Sequence, residues 1–139
     1  MPYDERFITP MRQELTRIGV QEMRTAEEVD STLAEFTEPT LLVVNSMCGC
    51  AARNARPGVA MALQQAERKP ARLTTVFAGQ DLEATARARE YITGYPPSSP
   101  SIALLKDGDV AFMLERHQIE GRSAYDIAAD LAGAFEQYC

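Results

Sequence analysis

A chain of 139 residues with 45% apolar side chains has the size and composition of one domain with a substantial core. Its formal net charge of −6 excludes a general nucleic-acid binder, which needs a basic face. The first 25 residues hold Asp4, Glu5, Arg6, Arg12, Glu14 and Arg17 with no uninterrupted apolar run, so no secretory signal is expected; no later stretch approaches membrane-spanning length, and a soluble, cytoplasmic protein is expected.

Phe7, Met11, Leu15 and Ile18 recur at helical spacing, with Thr9-Pro10 as cap and first-turn pair and Gly19 as the stop. A second helix opens on the capping-box pattern Thr25-Ala26-Glu27-Glu28, turns Val29, Leu33 and Phe36 inward, and ends by Pro39. Thr40 to Asn45 is a strand covered on both faces, since neither face is polar. After Cys50 a helix runs to about Glu67 through Val59, Met61 and Leu63, and Pro57-Gly58 should kink or split it. Arg72 to Ala78 is β-rich, Gly79-Gln80-Asp81 makes a turn, and Leu82 to Thr93 favours helix. Gly94 to Pro100 is an ordered loop with three prolines. Ser101 to Leu105 and Val110 to Leu114 flank an Asp107-Gly108 turn, a strong hairpin signal. Ser123 then caps a last helix with Ile127, Leu131, Ala134, Phe135 and Tyr138 facing inward.

Strands joined by a helical crossover run parallel, whereas the closing hairpin is antiparallel. The expected fold is therefore α/β and thioredoxin-like: a central mixed sheet of about four strands with helices on both faces. Residues 1–139 form one domain, with 1–38 as a helical extension packed on it.

Cys48 and Cys50 stand one glycine apart between the first core strand and the helix it feeds. Three cysteines are too few for a disulfide framework, and a close pair in a reducing compartment points to catalysis, redox sensing or metal binding. A cysteine at a helix start gains thiolate character because unpaired N–H groups and the helix dipole favour the anion. Cys48 is thus the candidate attacking thiolate, and Cys50 the residue that resolves its mixed disulfide or tunes its acidity. A bond between them would close a short, strained ring that reduces easily, and Gly49 supplies backbone freedom for that ring.

The segment Ser99-Pro100-Ser101-Ile102-Ala103-Leu104-Leu105-Lys106-Asp107-Gly108 resembles the thioredoxin stretch from a cis proline through a strand to a turn glycine. Asn45-Ser46-Met47-Cys48-Gly49-Cys50-Ala51-Ala52-Arg53-Asn54-Ala55-Arg56-Pro57, with the terminal Tyr138-Cys139, resembles the bacilliredoxin family over essentially the whole chain. That resemblance implies thiol–disulfide exchange removing bacillithiol, or a similar low-molecular-weight thiol, from client proteins. Weaker disulfide isomerase or reductase activity goes with it. The thiol is then a co-substrate, no resident cofactor is required, and a disulfide reductase does the recycling.

Pro100, if cis, would lie opposite the cysteines and present the Ser99 carbonyl and the Ser101 N–H to a bound peptide or thiol; otherwise it is an ordinary loop proline. Arg53 and Arg56 are candidates to stabilise the thiolate or grip a carboxylate of an anionic thiol, with solvated helix arginines as the alternative. Asn45 and Ser46 either hydrogen-bond the sulfur or cap the loop. Cys139 is a possible accessory thiol, able to receive a disulfide or link a homodimer, or else a packed one. His117, the one histidine, has no acid arranged around it in the sequence. A binding reading stands beside the enzymatic one: Met47, Cys48 and Cys50 are soft ligands for Cu(I) or Zn(II), but such a site needs Cys139 or a second chain to complete it.

Overall fold

The computed structural model describes residues 2–34 and 37–139. Helix α1 (Glu5–Thr16) starts earlier than Thr9-Pro10 suggested, because Asp4 caps it by accepting from the Arg6 N–H. Thr9 instead donates its hydroxyl to the Glu5 carbonyl at 2.9 Å, and Pro10 lies inside the helix. A two-residue strand β1 (Gln21–Glu22) precedes α2 (Ala26–Leu33). Thr25 caps α2 by accepting from the Glu28 N–H, while the Glu28 carboxylate reaches back to the Arg24 N–H, one residue beyond an ordinary capping box. Phe36, expected on this helix, lies outside the described residues.

Strand β2 (Thr40–Asn45) leads into one π-helical turn (Ala51–Ala55), which runs on into α3 (Arg56–Gln65). Then come β3 (Arg72–Phe77), α4 (Leu82–Tyr91), β4 (Ser101–Lys106), β5 (Asp109–Leu114), a four-residue α5 (Arg116–Ile119) and α6 (Ala124–Tyr138). The sheet has five strands in the order β1-β3-β2-β4-β5, the fifth being β1, too short to leave a periodic signal. Both β1 and β2 pair parallel with β3, whereas β4 runs antiparallel to β2 and β5 antiparallel to β4.

Alternation along the central strands builds two cores. Leu41, Val43, Ile102 and Leu104 pack with Val59 and Ala62 of α3 and with Ile127, Leu131 and Phe135 of α6. Leu42, Val44, Ala103 and Leu105 pack with Val29 and Leu33 of α2 and with Ala84 and Ala88 of α4. A strand between two helical layers has no solvated face, which is why β2 is buried at all six positions. This is a mixed α/β fold consistent with the thioredoxin-like plan. Among the described residues no helix is long and apolar enough to cross a membrane.

Helices α3 and α6 approach closely at Gly58, where an added Cβ would stand 2.6 Å from the Ile127 side chain. The glycine is therefore needed for packing against α6, on the helix that carries the thiol loop. Arg12 of α1, only 5% exposed, pairs with Glu5, with Glu22 of β1 and with Asp81 at the start of α4. Its guanidinium also lies 5.5 Å from the centroid of the Phe77 ring. One buried cation thus ties the N-terminal elements to the end of β3.

Candidate active site

Parallel pairing makes β2 and β3 finish together, with Asn45 beside Phe77. Antiparallel pairing starts β4 at the same edge, since Ser101 stands opposite Val44, and β5 returns there because Leu114 pairs with Ile102. Four chain segments therefore converge at one edge of the sheet: the thiol loop, the turn after β3, the loop before β4 and the start of α5. The Ser99–Pro100 peptide arriving there is cis.

The thiol loop is held from below. Asn45 accepts from the Ser46 N–H at 2.8 Å and from Arg56 Nη1 at 3.0 Å, and its own amide donates to the Met11 carbonyl at 3.3 Å. Arg56 Nη1 donates as well to the Ser46 carbonyl at 2.9 Å, and its Nε lies 3.1 Å from a carboxylate oxygen of Glu14. Arg56, expected to reach a thiolate or a substrate carboxylate, is instead 2% exposed, with Nη1 donating to the loop backbone and to Asn45 and the Glu14 carboxylate paired with its charge. Asn45 likewise positions the loop and makes no bond to sulfur. Ser46 does both jobs: its hydroxyl accepts from the Cys48 N–H at 3.1 Å and helps hold the Cys48 thiolate.

The Cys48 carbonyl accepts from the N–H groups of Ala51 and Ala52 at 3.1 and 3.2 Å, which starts the helix directly beneath the sulfurs. Proline at 57 has no N–H to give, and the turn before α3 closes with the wider bond from Arg56 N–H to the Ala51 carbonyl. The split expected from Pro57-Gly58 thus takes the form of one π turn rather than two separate helices. Gly49 is not in the left-handed region, so backbone freedom is not what the position uses. An added Cβ there would lie 2.9 Å from Arg53 Nη2; the glycine leaves room for a guanidinium lying across the loop.

The two sulfurs are 2.7 Å apart, and both cysteines are half-buried. Burial pushes the Cys48 thiol up, but hydrogen bonds from Cys50, from the Ser46 hydroxyl and from the N–H groups of Ala51 and Cys50 outweigh it, leaving its pKa below the ordinary thiol value. The Cys50 pKa is raised by burial, by its hydrogen bond to Cys48 and by the Cys48 charge, against the opposing pull of Arg116. The geometry thus makes Cys48 the more acidic thiol of the pair.

Two open grooves flank the pair. One, of about 320 Å³, is lined by Tyr3, Met47, Cys48, Gly79, Ser99 and Arg116. The other, of about 330 Å³, is lined by Cys50, Arg53, Asn54, Arg116, Glu120 and Gly121. Arg116 is the wall between them: its Nη1 donates to the Ser99 carbonyl at 3.1 Å, its Nε bonds Glu120, and both sulfurs act on its charge. The Ser99 carbonyl, expected to face a bound peptide, is thus already met by Arg116. Ser101, also expected at the substrate, is 2% exposed and sits within the sheet opposite Val44. Pro100 is buried beneath the groove and Ser99 is half-buried at its rim.

Arg116 is not marked in the sequence by any local motif. The Asp107-Gly108 turn starts the hairpin, but the pairing shifts by one residue between Leu104 and Leu105, so counting from the turn alone does not bring residue 116 to the edge where Pro100 enters. Tyr3 reaches the Cys48 groove because its backbone is clasped by Gln80, with N–H to Oε1 at 2.7 Å and Nε2 to carbonyl at 3.0 Å. Cys139 ends α6 at the opposite end of the sheet, where Lys106, at the far end of β4, donates to the Tyr138 carbonyl at 2.9 Å. The length of β4, at ~3.3 Å per residue about 17 Å overall, separates that end from the thiol pair, so Cys139 cannot join Cys48 and Cys50 within one chain. Burial raises its pKa, against the pull of Lys106 and Arg68. His117 is exposed on α5. Among the described residues no group of three or more His, Cys, Asp or Glu side chains is placed to hold a metal ion.

A family model described as "Disulphide isomerase" matches residues 3–139. A curated bacilliredoxin of Salinibacter ruber is 56% identical over 140 residues, covering 100% of this chain and 82% of that protein. Those of Koribacter versatilis and Geobacillus kaustophilus are 55% and 49% identical, each over 99% of this chain and 94% of the relative. The chain belongs to the bacilliredoxin family. It is a redox enzyme of thiol–disulfide chemistry, and the membership agrees with the resemblance carried by the Cys-Gly-Cys segment.

Proposed function

We propose that the protein removes a low-molecular-weight thiol, bacillithiol or one like it, from mixed disulfides on client proteins, using Cys48 as nucleophile and Cys50 as resolving thiol. The arrangement of the two thiols carries the reading: the sulfurs lie 2.7 Å apart beside open grooves, with Cys48 made the more acidic of the pair and Cys50 the less acidic. The Cys48 thiolate attacks the sulfur of the small thiol, the mixed disulfide breaks, and its electron pair leaves on the client cysteine, which takes a proton from water. Cys48 now holds the small thiol and no longer carries charge. The hydrogen bond and the charge from Cys48 that raised the Cys50 pKa vanish with it, so Cys50 ionises more readily when its turn comes.

Attack of Cys50 on the Cys48 sulfur then expels the small thiol and leaves a Cys48–Cys50 disulfide. Two electrons from a disulfide reductase restore the dithiol, a cycle suited to a reducing cytoplasm. Mass spectrometry after exposure to a bacillithiolated client tests this. The wild type should pick up the thiol transiently, Cys50→Ser should trap it on Cys48, and Cys48→Ser should abolish transfer. Retention of stoichiometric metal with no thiol transfer would favour the soft-metal alternative and overturn the reading.

A further inference from the structure

Arg53 is exposed, meets no carboxylate among the described residues, and lies over Gly49 on the wall of the groove that contains Cys50. Arg116 forms another part of that wall and Glu120 a third, so the groove holds two guanidinium groups against one carboxylate. Arg116 is already shared between Glu120 and the Ser99 carbonyl, which leaves Arg53 as the cation with free donors. The Cys48 groove is different: Tyr3, Met47, Gly79 and Ser99 line it, with Arg116 the one basic side chain among its described lining residues. Tyr3 and Met47 are 46% and 42% exposed there, and neither is charged.

We propose that the groove beside Cys50, walled by Arg53 and Arg116, is a carboxylate-recognising subsite that holds the acidic part of the small thiol while Cys48 attacks its sulfur. The inference rests on the de-thiolation reading and deepens it by assigning the binding of the co-substrate. The small thiol bridges the wall at Arg116, its sulfur at Cys48 and its carboxylate at Arg53, and the client cysteine leaves on the side of the Cys48 groove. A planar guanidinium binds a carboxylate through paired N–H donors. Gly49 belongs to this subsite, because any side chain there displaces the Arg53 guanidinium.

The test compares one client protein carrying either bacillithiol or uncharged 2-mercaptoethanol on the same cysteine, with the rate of transfer to Cys48 followed by mass spectrometry. The wild type should take bacillithiol faster. Arg53→Ala should lower the ratio of the two rates about tenfold, in keeping with loss of a charge-assisted hydrogen bond, and Glu120→Gln should raise it. Equal wild-type rates for the two conjugates, or a ratio unmoved by Arg53→Ala, would overturn the subsite while leaving de-thiolation standing. Transfer of neither thiol by the wild type would overturn de-thiolation, and the subsite with it.

Discussion

The floor and the rim of the thiol loop are both built on arginine, and they use it in opposite ways. Below the loop, Arg12 and Arg56 are 5% and 2% exposed and committed to fixed partners. At the rim, Arg53 and Arg116 are exposed and face the grooves. A buried guanidinium holds geometry because its partners cannot be replaced by water, whereas an exposed one gains little from a neighbour in the fold. Residue type alone does not tell the two apart; depth does.

Removing a floor arginine should have the largest effect on the fold. Arg12→Met leaves Glu5, Glu22 and Asp81 facing one another and should cost about 3–5 kcal/mol, seen as a lower urea midpoint. Arg56→Ala strips donors from Asn45 and the Ser46 carbonyl and should cost about 2–3 kcal/mol. It should also move the pH midpoint of Cys48 alkylation up toward that of a free thiol, since the loop then no longer holds Ser46 in place. A merely electrostatic role for Arg56 would move the midpoint and spare the stability.

Acid gives a milder version of the Arg12 experiment. The hydrogen bond from Arg12 lowers the Glu5 carboxyl from 4.5 to about 2, with burial opposing and Gln80 and Thr9 assisting. Because the folded-state value is the lower one, the stabilisation is complete above about pH 4.5 and is lost as pH falls from there toward 2. Thermal unfolding between those limits should show the loss, and Glu5→Gln should flatten that part of the curve.

Rim substitutions should leave stability within about 0.5 kcal/mol of the wild type and act on thiol acidity instead. Arg116→Ala should raise the alkylation midpoint of Cys50, whose anion Arg116 favours. Gly49→Ala should have the smallest effect on folding, because the only atoms crowded are the mobile end of Arg53. A large loss of stability in either variant would erase the distinction between floor and rim.

What could be read in advance follows the same division. The limits of β2, the opening of α4 and the cap of α6 were legible because continuous apolar runs and capping residues act locally. The thiol pair was legible because its signature is contiguous. The partners of Arg56 were not: Glu14 reaches it through the packing of α1 under the loop, and Asn45 and Ser46 through the return of α3 beneath the end of β2. Strand β1 escaped because two residues carry no period, and its existence depends on the edge of β3. Gly49 has no positive φ, and its constraint comes from a side chain four residues on, which no local pattern shows.

The hairpin between β4 and β5 acts as a ruler for the chemistry at its far end. Asp107 and Gly108 both adopt positive φ, 54° and 82°, which sets a two-residue turn, and a one-residue register shift between Leu104 and Leu105 completes the count of residues back to the sheet edge. A slip of one residue would deliver Glu115 or His117 where Arg116 now stands, replacing a fixed cation between the two grooves with an acid or a weak base. The charge felt by the thiol pair is thus calibrated by the turn at the opposite end of the sheet together with the register shift along the hairpin.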